Sequence, residues 1–273
     1  MNSLEPKLPA PLRSSETVAI RANRPTGTPV STLYLQQQPG KVALRLSMIV
    51  ILLAAVHTIS LFFFYANPEG NAAKQVHRLF NLGVDGNVPT LFSACILLAA
   101  AALLYLLSRL ASSQGNRYDQ TRWLILSGIF IFLAVDEGAM IHDFMAETIR
   151  SRMPVAMPSF LYFSWIIPYF FFALGTGIFF IPFLWRLPVR TRNLIVLSGV
   201  LFVAGALGFE MFESAIVAGN NEAGIINEEV RPLSFYVLET FEEIIEMSAI
   251  VLFIYTLLDY IKIKNAAIEW RPV

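Results

Sequence analysis

The sequence predicts an all-α fold, a polytopic membrane helical bundle of about six transmembrane helices with its N- and C-termini in the cytosol. Three observations carry that expectation. The chain has 273 residues, 56% of them hydrophobic, and a mean hydropathy of +0.59. Only 15% are charged, against about 25% in a typical soluble domain, too few to cover a soluble surface. Six apolar runs reach the roughly 20 residues a spanning helix needs.

The same figures exclude several classes. Ample apolar material rules out disorder for most of the chain. Lys+Arg and Asp+Glu number 20 each, so no basic excess points to nucleic acid. One cysteine, Cys95, excludes a disulfide scaffold and a cysteine-rich zinc site.

Residues 1–41 are polar and aperiodic and read as a disordered cytosolic tail. The transmembrane domain is expected over 42–262, followed by a short cytosolic tail, 263–273. The first span is about 46–65, too late and too long for a signal-peptide h-region. The second, about 89–108, opens with Pro89, a good first-turn placement. The third, about 123–142, carries acids at its far end, and the fourth, about 160–185, is uncharged and aromatic with a kink expected at Pro168. The fifth and sixth are about 193–217 and 233–261. Gly175, Gly177, Ala204 and Gly208 offer small surfaces for close helix packing.

Orientation follows the distribution of Lys and Arg. The tail before the first span holds Lys7, Arg13, Arg21, Arg24, Lys41 and Arg45. The 2–3 loop, the 4–5 loop and the C-terminus hold three each, whereas the other loops are poorer. Both termini are therefore expected inside.

Eight carboxylates fall within these spans: Asp136 and Glu137 in the third, Glu210 and Glu213 in the fifth, and Glu239, Glu242, Glu243 and Glu246 in the sixth. No Lys or Arg shares a span interior with them. Insertion costs roughly 2.5–3.5 kcal/mol per acid at a helix centre, so eight cost on the order of 20 kcal/mol, more than the roughly 5–15 kcal/mol that stabilises a domain. The acids must be protonated, hydrated or bound to cations, and must face away from lipid. Counted from the ends of their spans, they and His57 all fall between the bilayer midplane and the outer surface. At about 100° per residue, the four acids of the sixth span lie within an arc of roughly 100°. Glu210 and Glu213, at i and i+3, share a face. His142 points away from Asp136 on a regular helix and joins it only if the helix end or Gly138 distorts.

An acidic chamber between the third, fifth and sixth spans, open to the outer side, follows as an expectation. Candidate metal ligands are Asp136, Glu137, His142, Glu210, Glu213, Glu239, Glu242, Glu243, Glu246 and His57. Carboxylates with one or two imidazoles suit a divalent ion such as Ca, Mg, Mn or Fe. Zinc fits less well, since a three-histidine site would need His57, His77 and His142 together. The di-iron pattern needs Glu-x-x-His pairs, which are absent; a carboxylate-rich variant stays open. In the 1–2 loop, Gly83, Asp85, Gly86 and Asn87 read as turn chemistry, with Asp85 and Asn87 as alternative oxygen ligands from above.

The strings FLAVDEGAMIHDF and LETFEEIIEMSAIVLFIYTLL resemble a widespread group of uncharacterised bacterial multi-pass membrane proteins. That group carries Asp-Glu followed by His-acid in its third helix and a Glu cluster in its last. The resemblance implies a signature at Asp136, Glu137, His142, Asp143, Glu239, Glu242, Glu243 and Glu246, and a place in the bacterial cytoplasmic membrane. LFNLGVDGNVPTLFS looks like the same group, except that Gly86 stands where an acid is expected. No activity comes with the resemblance.

Three functions remain: divalent-cation handling or sensing, a metal-dependent membrane enzyme acting on a lipid or quinone-like substrate, and a structural or assembly subunit. The partner expected is the lipid bilayer, with a homo-oligomer or a membrane complex left open. No Ser/His/Asp setting or phosphate loop supports a soluble-type enzyme.

Overall fold

A computed structural model describes residues 31–34, 38–67, 70–152, 158–222, 232–264 and 267–270. The tail expected to be disordered lies outside these residues except for its last stretch, and Arg231 of the 5–6 loop lies outside as well. A short antiparallel ribbon pairs β1, Ser31–Tyr34, with β2, Ala267–Trp270.

The rest is helical. The first long helix, α1, runs Pro39–Ala66, and the amphipathic α2, Asn71–Phe80, comes next, where the sequence reads only as a loop. Beyond it lies α3, Val88–Ser113, capped by Asn87, whose side chain accepts the Thr90 N–H at 3.2 Å. Gly115, at φ +72°, makes the tight turn into α4, Arg117–Ala139. Asn116 caps α4 through the Asp119 N–H at 3.1 Å. After α5, Ile141–Arg152, a 3₁₀ turn at Ser159–Leu161 leads to α6, Ile166–Leu184. The segment expected as the fifth span comprises α7, Val189–Val203, a π-helical stretch, Ala204–Phe209, and α8, Glu210–Glu222. The chain closes on α9, Leu233–Ile263.

Five of these segments are long and apolar enough to cross a membrane: α1, α3, α6, α7 through α8, and α9. The expected third span, α4, is not among them, because Arg117, Asp119 and Arg122 crowd one end and Asp136 and Glu137 the other. Pro168 causes no break, since it falls in the first turn of α6, where its missing N–H has no partner to lose. The expected close packing at Gly175, Gly177 and Gly208 is absent; a Cβ at each would meet nothing within 4 Å.

The core forms around α9, the most buried of the five spans (61%), while α6 is the least (17%). Met247, Ile250, Ile254 and Leu257 of α9 pack with Leu97, Ala100 and Leu104 of α3 and with Trp123 and Phe130 of α4. Phe130 stacks on Phe253 with ring centroids 4.7 Å apart. Small residues on α3 let α4 lie close, and Ser127 reaches across to donate to Ala101 O at 2.8 Å. Phe171, Phe172 and Ile178 leave α6 apolar and exposed on its outer face, as a lipid-facing helix requires. The arginine ion pairs Arg186–Asp119 (3.1 Å) and Arg190–Asp259 (3.5 Å) sit far from the acid-bearing ends.

Candidate metal centre

The helix expected as the third span does not run unbroken through 142. It stops at Ala139, and Met140 turns left-handed (φ 53°, ψ 42°), the one non-glycine with positive φ among the described residues. This break at the helix end is the distortion that lets His142 join Asp136. The chain restarts as α5 with the His142 N–H donating to Asp136 Oδ1 at 2.9 Å, so the Asp136 carboxylate serves a free helix-start amide. His142 Nδ1 comes within 3.5 Å of Asp136 Oδ2, and Nε2 lies 3.7 Å from Asp85 Oδ2 and 3.8 Å from Asp143 Oδ1. Burial alone would lower the His142 pKa. The Asp136 hydrogen bond and the charges of Asp136, Asp143 and Asp85 outweigh burial and push it up to about 9. Asp85 is pushed upward, chiefly by burial.

Aromatic residues close this side. Tyr169 donates to Asp136 Oδ1 at 2.8 Å, and Trp165 Nε1–H donates to Glu210 Oε1 at 3.3 Å. Trp165 packs edge-on to Tyr169 with centroids 5.0 Å apart, and its ring lies 5.1 Å from that of His142. Trp165 is not among the residues singled out from the sequence; its Nε1–H, which a buried indole must satisfy, is the signal that could have found it.

In the fifth span, the π-helical stretch Ala204–Phe209 ends at Glu210. A π turn inserts a residue and rotates the helix beyond it. Glu210 and Glu213 then meet Glu242 of α9, with one oxygen of each within 4.8 Å of the others. Glu213 and Glu242 are buried, and Glu242 Oε2 has no hydrogen-bond partner. Gly205, within the π stretch, makes room: a Cβ there would stand 2.7 Å from Glu246 Cγ. Glu246 shares an electrostatic neighbourhood with Glu137, Glu210, Glu213 and Asp85, and Glu243 shares one with Glu246, Glu137, Asp85 and Glu239.

Glu239 lies in the second turn of α9, against the backbone of Gly83; a Cβ at Gly83 would overlap its carboxyl group. The loop at 81–87 thus covers the acids. Its turn reading holds for Gly86, at φ +76°, and for Asn87, which caps α3 and donates to Asn81 O at 2.6 Å. Asp85 does more than turn, since it faces His142.

His57 does not join the acids as a ligand. It is fully buried; Nδ1 accepts the Leu82 N–H at 3.1 Å, and Nε2 lies 3.0 Å from Thr240 Oγ1. His77 stacks on Phe64 at 4.8 Å, 5.9 Å from the His57 ring, while His142 keeps company with Asp85 and Asp136. The three histidines are not gathered into one site.

Two groups of ligand atoms therefore stand close enough to share an ion, Glu210–Glu213–Glu242 and Asp85–His142–Asp143. The first is the better donor set. It is all-carboxylate, with Glu213 and Glu242 buried and Glu210 half-buried, and oxygen-only donors suit hard cations. The second is half-exposed and already satisfied by ion pairs to His142.

A family profile described as a domain of unknown function, DUF8692, matches residues 46–261. No curated protein and no solved structure matches the chain.

Proposed function

The chain belongs to that family, whose description assigns no activity, and we propose from the site itself that it is a membrane protein binding a divalent cation in an acidic chamber. The chamber opens to the outer side, and the protein handles or senses the ion. The observation that carries this reading is the convergence of Glu210, Glu213 and Glu242 from two helices, with Glu242 Oε2 buried and unpartnered. A buried carboxylate oxygen held without a partner is costly, and a cation offsets that cost. Carboxylate-only chemistry favours Ca²⁺, Mg²⁺ or Mn²⁺, with iron next and zinc last.

The reading includes six spans across the bacterial cytoplasmic membrane, with both termini on its cytosolic side. Counting α4 as a span gives an even number of crossings, and the β1–β2 ribbon joins the two ends of the chain. Supporting the orientation, the acid-bearing ends of α4, α8 and α9 gather at one side, and the arginine pairs gather at the other.

A second reading, a metal-dependent enzyme on a lipid-phase substrate, draws on one observation. An apolar recess of about 210 Å³ between α4 and α6 is lined by Phe132, Pro168, Tyr169 and Phe172. Tyr169 links that recess to Asp136.

The test is elemental mass spectrometry on the purified full-length protein, alone and with Glu213→Gln plus Glu242→Gln. Metal retained by the native chain and lost from the folded variant supports the reading. A native chain that carries and takes up no divalent ion leaves the assembly-subunit reading standing. Uptake into proteoliposomes then separates cation handling from catalysis.

A further inference from the structure

We propose that His57 is a positioning residue that clasps the 81–87 loop onto α9 and thereby holds Asp85 over the acidic chamber as its outer carboxylate; this rests on the divalent-cation reading above. Proton placement fixes the clasp. Thr240 Oγ1 donates to Tyr236 O at 2.6 Å, so its remaining contact, 3.0 Å to His57 Nε2, must be an acceptance from Nε2–H. The other nitrogen, Nδ1, then carries the lone pair and accepts the Leu82 N–H at 3.1 Å. One neutral tautomer makes both bonds, and the Phe80 carbonyl lies against the same ring. A fully buried imidazole thus ties α1 to the loop on one side and to α9 on the other.

The positions it ties bracket the site. Thr240 follows Glu239 directly and precedes Glu242 and Glu243 by two and three residues. Leu82 is followed by Gly83, whose backbone abuts Glu239, and by Asp85, whose carboxylate faces His142 at 3.7 Å. Asn81 Oδ1 accepts the Gly83 N–H at 3.3 Å, and Asn87 Nδ2 donates to Asn81 O, which stiffens the loop between its ends. The Leu82–His57 bond ties the loop to α1, while Asn87 and the Thr90 Oγ1 bond to Val84 O at 3.5 Å tie its other end to α3. Asp85 shares the electrostatic neighbourhood of Glu137, Glu243 and Glu246, so displacing the loop removes a charge from the chamber without touching the chamber's own helices.

The experiment titrates Mn²⁺ into the full-length protein in detergent and follows hydrogen exchange at 81–87. Glutamine places its amide where Nε2 stands, and asparagine where Nδ1 stands. His57→Gln should keep the Thr240 contact and lose the clasp, whereas His57→Asn keeps the clasp. Outer partners of a metal site are worth about 10–100-fold in affinity. The expected result is an about tenfold weaker Mn²⁺ affinity for His57→Gln and for Asp85→Asn, no further loss in the double variant, and near-native binding for His57→Asn. Exchange at the Leu82 amide should rise in His57→Gln alone. Native Mn²⁺ affinity or native exchange in His57→Gln overturns the proposal, as do equal losses in both His57 variants or multiplying effects with Asp85→Asn. If the native chain binds no Mn²⁺, the cation reading fails, and the exchange arm still decides the clasp.

Discussion

Glu242 stands at the junction of the two halves of the carboxylate group, and its environment makes it the most sensitive single position. Glu242→Gln removes a donor oxygen while keeping volume, so it should cost divalent-ion affinity without unfolding the protein, read as lost metal content beside an unchanged melting curve. The glycines give a complementary prediction. Gly83→Ala forces a methyl group into the Glu239 carboxyl; overpacking of this kind costs about 1–3 kcal/mol, measurable as a lower unfolding midpoint in detergent. Gly175→Ala meets nothing within 4 Å and should melt as the native protein does. Of the candidate site residues, the acids are legible in the sequence because each is expensive in a membrane and contact with lipid cannot explain them. Asp85 is legible only as an alternative to turn chemistry, since a loop aspartate carries no such cost. His57 reads as a ligand because sequence shows an imidazole within a span and hides which backbone amide answers it.

At the scale of the element, two helix irregularities assemble the site, and neither can be read from periodicity. The sequence from 123 to 142 has no proline or terminal glycine to announce a stop; Gly138 lies too early, and it is Met140 that adopts the left-handed cap. A left-handed non-glycine costs roughly 1–2 kcal/mol, and glycine loses about 0.5–1 kcal/mol through backbone entropy. Met140→Gly should therefore melt at or slightly above the native temperature, and β-branched Met140→Val below it. The π stretch makes a sharper case. Deleting Ala206 would return Ala204–Phe209 to α-helical winding and rotate Glu210 and Glu213 by about 100° relative to α7. The span should still insert, while divalent-ion binding is lost. The amphipathic α2 also escapes a reading from sequence, because ten residues between two long apolar runs look like connecting chain; its role shows only once His77 is seen stacked on Phe64 of α1.

For the whole molecule, segregation of charge is the organising fact. Formal charge sums to zero, yet arginine pairs secure one end of the bundle and carboxylates the other. The apolar runs make the bundle legible from composition alone. The status of α4 is less so, because a helix packed against α3 and α9 can carry charges at both ends that a lipid-facing helix could not. With Cys95 replaced by alanine, a cysteine at Asn71 should label from the outer side and one at Asn116 from the inner side with a membrane-impermeant thiol reagent. Labelling of both from one face would break the six-span arrangement.

The wall that Trp165 forms has an optical meaning. Of the four tryptophans, Trp165 is bonded through its indole N–H to a carboxylate of the candidate centre and packed beside an imidazole. An ion that draws Glu210 toward itself must change that bond, and with it the colour and yield of the indole's emission. On the proposed cation reading the protein carries its own fluorophore beside the candidate centre, so a titration watched in ultraviolet light, with Trp165→Phe as the silent control, tests for binding there without a label or a known cargo.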